Sequence, residues 1–201
     1  MRDAALRLSD VACLRGGRML FRGVSLDLAA GGSALLTGPN GIGKSSLLRI
    51  CAGLLPALAG TVERRGGLAL ADERLALDME RPLRKALGFW ARLDEVDGGA
   101  VEGALEAMAL RPLADLPVRM LSTGQRKRAM LARVIASGAA VWLLDEPGNG
   151  LDDASLGLLG AAVARHLETG GIVLAASHQS LPLADDVRID LRAHAAEAES
   201  A

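Results

Sequence analysis

Residues 38–45 read GPNGIGKS and match the pattern G-x-x-x-x-G-K-[ST]. A short apolar run, SALLTG at 33–38, precedes this stretch, and an amphipathic segment, GKSSLLRICAGLL at 43–55, follows it. A glycine-rich loop between a strand and a helix can wrap a phosphate, because its backbone N–H groups point inward and the helix N-terminus favours negative charge. The stretch therefore predicts a nucleotide-phosphate site in an α/β fold.

The residue types inside this loop suit a nucleoside triphosphate bound together with Mg²⁺. Lys44 is expected to neutralise the β- and γ-phosphates, and the hydroxyl of Ser45 is expected to ligate the metal ion. The alternative, a glycine-rich turn that only caps a helix, is disfavoured by the strand–loop–helix context. The loop residues predicted to bind the nucleotide are Gly38, Pro39, Asn40, Gly41, Gly43, Lys44, Ser45 and Ser46.

The composition limits the class of protein. The chain has 201 residues, of which 50% are hydrophobic, and this predicts one globular domain. The formal net charge of −1 argues against nucleic acid as a partner, because proteins that bind it nonspecifically are usually basic. We expect no secretory signal and no membrane span, since no apolar run reaches about 18 uncharged residues. Cys13 and Cys51 are expected to be buried, reduced thiols.

Two hydrophobic patterns predict the strands. Alternating apolar and polar residues are typical of half-buried antiparallel strands, and short apolar runs are typical of buried parallel strands. The predicted strands are ALRLSDVACL (5–14), MLFRGVSLDL (19–28), SALLTG (33–38), AVWLLDEP (140–147) and GIVLAASH (171–178), together with a strand pair in GTVERRGGLALA (60–71).

Apolar residues at helical spacing predict the helices. The first helix is expected to begin in the phosphate loop and to end at Pro56, because proline cannot continue a helix. Its apolar face would carry Leu47, Leu48, Cys51, Leu54 and Leu55. The other predicted helices are PLRKALGFWARL (82–93), GAVEGALEAMAL (99–110), TGQRKRAMLARVIAS (123–137) and DASLGLLGAAVARHLETG (153–170).

Strands that alternate with helices predict right-handed crossovers and a mostly parallel sheet. We therefore expect one α/β domain over residues 1–201. Its core would come from about 1–79 and 138–192, and a helical part would be inserted at about 80–137. The polar tail at 193–201 is expected to be flexible.

Three polar residues follow predicted buried strands. Asp145 and Glu146 end the strand at 140–147, and His178 ends the strand at 171–178. Parallel strands place functional groups at their carboxyl ends. We expect Asp145 to hold Mg²⁺ through water, Glu146 to act as the general base on an attacking water, and His178 to contact a γ-phosphate.

The stretch LSTGQ at 121–125 is a second pattern suited to an anion. It lies where a polar loop turns into a basic, amphipathic helix, and a helix N-terminus favours negative charge. One small chain thus carries two phosphate-binding patterns.

Together these stretches resemble the nucleotide-binding subunits of ABC transporters over almost the whole chain. GPNGIGKSS is similar to the Walker A motif, LSTGQ to the signature motif and VWLLDEP to Walker B; NGLD at 149–152 is similar to the D-loop, and SHQ at 177–179 to the switch histidine. The resemblance implies an ATPase with ATP and Mg²⁺, whose fold has a RecA-like parallel-sheet core, an antiparallel β subdomain and an inserted helical subdomain.

The resemblance also implies why there are two patterns. In this family two nucleotide-binding domains stack head to tail, and the signature loop of each closes on the ATP held by the other. Ser122 and Gly124 are then expected to donate hydrogen bonds to the partner's γ-phosphate, with Gln125 beside them and Asp152 at the same interface. A homodimer follows, since one chain holds two half-sites.

A finer resemblance is to the ATP-binding subunit of the haem exporter of cytochrome c maturation. The stretches RGGRMLFRGVSLDL, GPNGIGKSSLLRICAGLLPALAG and SHQSLPL and the Phe-Trp pair at 89–90 carry it. It implies separate integral membrane subunits that dock on the helical subdomain near Glu73, and a peripheral location on the cytoplasmic face of the bacterial inner membrane.

The chain departs from the family pattern at three places, one of which is GNGLD at 148–152, where the D-loop is looser than the usual small-residue pattern. The glutamine expected between the β-rich and helical parts is replaced by Asp72 or Glu73, in LALADERLAL at 68–77. Arg15 stands where an adenine-stacking aromatic is expected, and its guanidinium plane could stack on the base instead.

Several functions remain open on these residues. The leading hypothesis is an ATPase subunit that powers haem export. The alternatives are the ATPase of another small-molecule or lipid exporter, a nucleotide-gated regulatory subunit with impaired hydrolysis, and a soluble clamp that acts on nucleic acid or ribosomes.

Overall fold

A computed structural model describes residues 3–72, 76–178, 181 and 187–195. The strands are β1 (Ala5–Arg15), β2 (Arg18–Ala29), β3 (Ser33–Thr37), β4 (Ala59–Arg65), β5 (Leu68–Ala71), β6 (Val141–Asp145), β7 (Ile172–Ala176) and β8 (Val187–Asp190). The α-helices are α1 (Lys44–Cys51), α2 (Leu83–Leu93), α3 (Gly98–Ala107), α4 (Thr123–Ala136) and α5 (Asp153–Glu168). Short 3₁₀ helices span Arg111–Leu113, Val118–Met120 and Leu191–His194.

The strands form two sheets. A three-stranded antiparallel sheet has the order β2-β1-β4, and a five-stranded parallel sheet has the order β5-β6-β7-β3-β8. Helices α2, α3 and α4 are inserted in the chain between β5 and β6, and they pack on one another. The predicted fold class, a parallel-sheet core with an antiparallel β part and inserted helices, is confirmed.

The core lies on both faces of the parallel sheet. One apolar cluster joins the antiparallel sheet, α1 and one sheet face, and its largest fully buried side chains include Phe21, Leu47 and Leu48. The other cluster joins the opposite face to the helices, with Leu87, Leu105 and others buried. Strands β6 and β7 are fully buried, and successive apolar side chains along each of them belong alternately to one cluster and to the other. This alternation is expected for a parallel sheet that is covered on both faces.

Both cysteines are free and buried, as predicted. Burial raises the pKa of the Cys51 thiol to about 12. Burial also raises the pKa of Cys13, which is partly offset by Arg15 and by a hydrogen bond with Ser46.

The predicted end of the first helix is wrong. Helix α1 ends at Cys51, and Leu54 is 69% exposed and not on a buried face. Gly53 has a positive φ of 75°, its N–H donates to Ile50 O, and the N–H of Leu54 donates to Arg49 O. These two hydrogen bonds form a Schellman motif, so the glycine and not Pro56 terminates the helix.

The predicted strand pair at 60–71 is also wrong, although both strands exist. Strand β4 pairs with β1 in the antiparallel sheet, whereas β5 pairs with β6 in the parallel sheet. Gly66 lies between them with a φ of 92°, and a Cβ on it would lie 2.7 Å from the Cβ of Ala140. The chain therefore turns from one sheet to the other at a position that only glycine fits.

Three further observations bear on the sequence-based expectations. Strand β8, which pairs with β3 at the sheet edge, was not predicted. No helix in the described part of the chain is long and apolar enough to cross a membrane. The tail predicted at 193–201 lies mostly outside the described residues.

Candidate nucleotide-binding and catalytic site

The loop between β3 and α1 is held by its own lysine. Lys44 is only 6% exposed, and its Nζ donates to the carbonyl oxygens of Gly38, at 2.8 Å, and Pro39, at 3.5 Å. These bonds curl the loop around the ammonium group. The loop thus places a buried positive charge at the N-terminus of α1, where both the charge and the helix dipole favour an anion.

Gly43 is required because the antiparallel sheet presses on the loop. Its φ is 115°, and a Cβ there would lie 2.9 Å from the ring of Phe21 on β2. Phe21 is itself fully buried, so the ring has no room to move aside. The contact sets the position of the loop relative to β2.

Glu146 follows β6 in an unusual backbone conformation. Its φ is 45°, in the left-handed region that residues other than glycine seldom adopt. Its N–H donates to Ala176 O at 2.8 Å, and its carbonyl accepts from Lys127 Nζ at 2.7 Å and from the N–H of Asn149 at 3.2 Å. The conformation turns the chain out of the strand at this residue.

The carboxylate of Glu146 joins two other predicted site residues. Oε1 lies 3.5 Å from Nζ of Lys44, and Oε2 lies 2.9 Å from Nδ1 of His178. The N–H of His178 also donates to Oε2, at 3.3 Å. Because β3, β6 and β7 are neighbours in a parallel sheet, their carboxyl ends bring these three side chains to one edge.

A cavity of about 320 Å³ opens at this edge. Its lining residues are Leu20, Asn40, Gly41, Gly43, Lys44, Ser45, Ser46, Glu146, Asn149 and His178. Leu20 and Asn149 were not predicted as site residues. Asn149 could have been found, because it begins the NGLD stretch, whereas nothing in the sequence distinguishes Leu20 from other apolar strand residues.

Gly38 and Pro39 do not line this cavity, and four other predicted binding residues lie outside it around the starts of α4 and α5. Ser122 and Gln125 form a capping box: Ser122 Oγ accepts from the N–H of Gln125 at 3.3 Å, and Gln125 Oε1 accepts from the N–H of Ser122 at 2.8 Å. Gly124 packs beside Gly150 O, and Asp152 caps α5 by accepting from the N–H of Ser155 at 2.8 Å. Hydrogen bonds from Ser155 lower the pKa of Asp152.

Arg15 also lies apart from the cavity lining, on the exposed turn between β1 and β2. Strand β2, which pairs with β1, approaches the phosphate loop at Leu20 and Phe21, but Arg15 itself is not among the residues that line the cavity. Its proposed contact with adenine therefore stays a prediction.

The residues predicted to ligate Mg²⁺ offer hard oxygen ligands. Ser45 lines the cavity, and Asp145 is 5% exposed at the end of β6, next to Glu146. Among the described residues no group of three or more His, Cys, Asp and Glu side chains is placed to hold a metal. A hydroxyl and one carboxylate suit Mg²⁺, since this ion takes most of its ligands from phosphates and water.

The position of the missing glutamine is partly visible. Glu73 lies outside the described residues. Asp72 is half-buried, and its carboxylate lies 3.8 Å from the guanidinium of Arg49 on α1. Asp72 does not line the cavity.

Comparison with known proteins agrees with this fold and site. The family model described as ABC transporter matches residues 21–149. A Pyrococcus furiosus structure described as an ABC transporter ATP-binding protein superposes with a TM-score of 0.85 at 23% identity, covering 96% of this chain and 100% of that chain. An ATP-binding cassette in its ADP conformation superposes with a TM-score of 0.73 at 21% identity, covering 89% of this chain and 83% of that chain. These two structural likenesses concern the fold.

Curated relatives are similar over nearly the whole chain. A cytochrome c biogenesis ATP-binding export protein, CcmA, from Sphingopyxis alaskensis is 58% identical over 90% of this chain and 93% of the relative. CcmA proteins of Zymomonas mobilis and Rhodospirillum rubrum are 56% and 47% identical, over 91% and 87% of this chain and 82% and 80% of the relatives.

The fold and the family match thus define the ATP-binding, ATP-hydrolysing subunit of an ABC transporter. Within this class, the chain belongs to the family of the cytochrome c biogenesis ATP-binding export proteins, CcmA. The resemblance stated from the motifs is confirmed.

We expect Arg15→Ala to weaken ATP binding by about 1–3 kcal/mol, because a stacking partner of the base is lost. Binding of tripolyphosphate, which lacks a base, should stay unchanged, and Arg15→Tyr should keep ATP affinity. Isothermal titration measures all three. Arg18→Ala, on the same exposed turn, is the control. Equal ATP affinity of Arg15→Ala and the parent would show that adenine is held elsewhere.

Proposed function

We propose that this chain hydrolyses ATP in a homodimer bound to integral membrane subunits, and that hydrolysis powers export of haem for cytochrome c biogenesis. The observation that carries the proposal is the meeting of Lys44, Glu146 and His178 at the phosphate loop, in a chain that is 58% identical to a cytochrome c biogenesis ATP-binding export protein. The similarity to that relative supports haem export for cytochrome c biogenesis as the process, and the site residues support ATP hydrolysis as the reaction.

Glu146 is the group suited to activate water. It is mostly buried, with its side chain 12% exposed, and it is oriented by Lys44 on one side and His178 on the other. When ATP binds, its phosphates compete for the ammonium of Lys44, which releases Oε1 of Glu146 to accept a proton from water. His178 keeps the other oxygen in place and stands where a γ-phosphate contact is possible.

Ser45 and Asp145 are the residues that would hold Mg²⁺. The ion would neutralise charge that develops on the phosphates. Ser45 offers its hydroxyl at the start of α1, and Asp145 offers a carboxylate at the end of β6, one residue before the base. Both residues follow or end strands of the same parallel sheet, β3 and β6, which have β7 between them, and we assign one ion to both.

The placement of the signature loop supports a dimer. Ser122 and Asp152 are exposed, and they do not line the cavity of their own chain. A loop that presents a helix N-terminus outward can complete a second chain's cavity, and an isologous dimer makes two such composite sites. We therefore assign Ser122, Gly124, Gln125 and Asp152 to the nucleotide held by the partner.

A cleft on the helical part is suited to the membrane subunits. It has a volume of about 410 Å³, begins just after the undescribed residues 73–75, and includes Phe89, which is 45% exposed. Its lining residues are Ala76, Leu77, Asp78, Arg81, Ala86, Phe89 and Trp90. Trp90 Nε1 donates to Ala76 O, which ties α2 to the segment before it. The cleft combines apolar side chains with the charged residues Asp78 and Arg81, which suits a helix of another protein. A chain docked there on integral membrane subunits would lie at the cytoplasmic face of the inner membrane.

The regulatory alternative is motivated by the glutamine that is absent at 72–73. It predicts a parent chain with little turnover of ATP. A lipid or another small molecule as cargo predicts normal turnover and normal cytochrome c. The experiments below separate these cases.

We expect Glu146→Gln to bind ATP and to hydrolyse it about 10²–10⁴-fold more slowly, because an amide is not a general base. The trapped ATP should hold two chains together, which light scattering detects as an ATP-dependent dimer. Hydrolysis by Glu146→Gln at the parent rate would contradict the assignment of the base, and a parent that does not turn over ATP would favour the regulatory alternative.

The same variant tests the cargo in cells. With Glu146→Gln as the sole copy of the gene, haem-stained c-type cytochromes should disappear from gels while their polypeptides remain detectable by antibody. Unchanged haem staining would show that another molecule is exported.

We expect Ser122→Arg and Lys44→Ala to be inactive alone and to regain activity when mixed. Each mixed dimer combines one intact phosphate loop with one intact signature loop. The mixture should reach about a quarter of the parent rate, since half of the dimers are mixed and each has one working site of two. ATP binding by the Ser122→Arg monomer should be near that of the parent. Loss of that binding would mean that the loop serves its own chain.

We expect Phe89→Ser to reduce co-purification with the membrane subunits, because it removes the exposed apolar side chain of the cleft. ATPase activity of the isolated subunit should be unchanged. Leu54→Ser, at a more exposed apolar position outside the cleft, is the control. If both variants co-purify as the parent does, the membrane subunits dock elsewhere.

A further inference from the structure

We propose that Lys127 is a positioning residue for Glu146: its ammonium group holds the backbone of the general base in the left-handed conformation. Lys127 lies on α4, the helix whose N-terminus carries the signature loop. The inference rests on the proposed function, in which Glu146 is the base. Helix α4 would then have two roles: its first turn carries the signature loop, and its second turn carries Lys127, which positions Glu146.

The contact is short and shielded. Lys127 Nζ donates to Glu146 O at 2.7 Å, and the side chain is half-buried. A hydrogen bond from an ammonium group is stronger than one between neutral groups, and shielding from water strengthens it further. The bond therefore constrains the peptide unit that follows Glu146.

Glu146 needs such a constraint. With a φ of 45°, it has left the β conformation of the strand before it, and its carbonyl does not continue the ladder between β6 and β7. The N–H of Glu146 is fixed by Ala176 O, but the carbonyl is fixed by Lys127 and Asn149. Rotation about the N–Cα bond of Glu146 turns its carbonyl carbon and its Cβ together, so a carbonyl group held in place also keeps the carboxylate beside Lys44 and His178.

Helix α4 also touches the loop beyond Glu146. A Cβ on Gly124 would lie 3.4 Å from Gly150 O, so the start of the helix packs closely on this loop. Lys127 and Gly124 are three residues apart and lie on the same side of the helix. The helix thus supports the loop from Glu146 to Gly150 at both ends.

If Lys127 only satisfied the hydrogen-bonding capacity of the Glu146 carbonyl, its replacement would lower the stability of the fold without a specific effect on turnover. A positioning role predicts a change in turnover at constant substrate binding, because the phosphate loop itself is untouched. It also predicts that the effect stays with the chain that supplies Glu146.

The first experiment compares Lys127→Met, which keeps the aliphatic stem, with Lys127→Arg, which keeps a cationic donor. In the isolated protein, kcat for ATP hydrolysis by Lys127→Met should fall about tenfold or more while KM stays within about twofold, and Lys127→Arg should regain most of kcat. Lys85→Met, on the exposed face of α2, is the matched control and should match the parent. A parent-like kcat in Lys127→Met overturns the proposal. So does a loss of kcat that accompanies a lowered melting temperature and that Lys127→Arg does not restore.

The second experiment uses the mixed dimers. In a mixture of Ser122→Arg and Lys44→Ala chains, the working site takes Glu146 from the Ser122→Arg chain. Adding Lys127→Met to that chain should lower the rate of the mixture, whereas adding it to the Lys44→Ala chain should leave the rate unchanged. The opposite result would mean that Lys127 supports the signature loop and not the base.

These outcomes separate the inference from the proposed function. If the parent does not hydrolyse ATP, or if Glu146→Gln is fully active, the proposed function fails. If the parent is active, Glu146→Gln is inactive and Lys127→Met equals the parent, only the positioning role fails.

Discussion

The hydrogen bond from the N–H of Glu146 to Ala176 O is the interaction on which the site depends. It extends the pairing of β6 and β7 by one residue beyond the last strand pair, Asp145 and Ala176. It fixes the backbone of Glu146 beside β7, the strand that His178 follows, and so helps to hold the Glu146 carboxylate 2.9 Å from Nδ1 of His178. The pairing along the rest of β6 and β7 keeps these carboxyl ends in register. A slip of one residue would move every side chain of a strand to the opposite face of the sheet.

This dependence explains which parts of the site could be predicted from the sequence. The phosphate loop was predictable because glycines, lysine and serine stand at fixed spacing between an apolar run and a helix. Asp145, Glu146 and His178 were predictable because each ends an apolar run, and parallel strands bring such ends together. The proximity of the three side chains in space follows from strand order, which the sequence indicated only through the family resemblance.

Other features depend on contacts between distant residues, and the sequence carries little trace of them. To predict that Gly53 terminates α1, one must know that Leu54 is exposed, whereas Pro56 is the more conspicuous helix breaker in the sequence. The separation of β4 from β5 depends on Gly66 approaching Ala140, which lies far away in the chain. The contact of Lys127 with a carbonyl on another element is of the same kind, since a lysine on a helix usually faces water.

The capping box at the start of α4 reconciles a structural and a functional task for Ser122. Its Oγ accepts from the N–H of Gln125, which consumes a lone pair of the hydroxyl but not its proton. The N–H of Ser122 donates to Gln125 Oε1, so this backbone group is already engaged and is not the donor for a bound anion. The hydroxyl proton, aided by the positive end of the helix dipole, can still donate to an anion on another chain. The cap therefore fixes the rotamer of Ser122 in the absence of a nucleotide, so in the proposed dimer a γ-phosphate from the partner would meet a donor that needs no reorganisation.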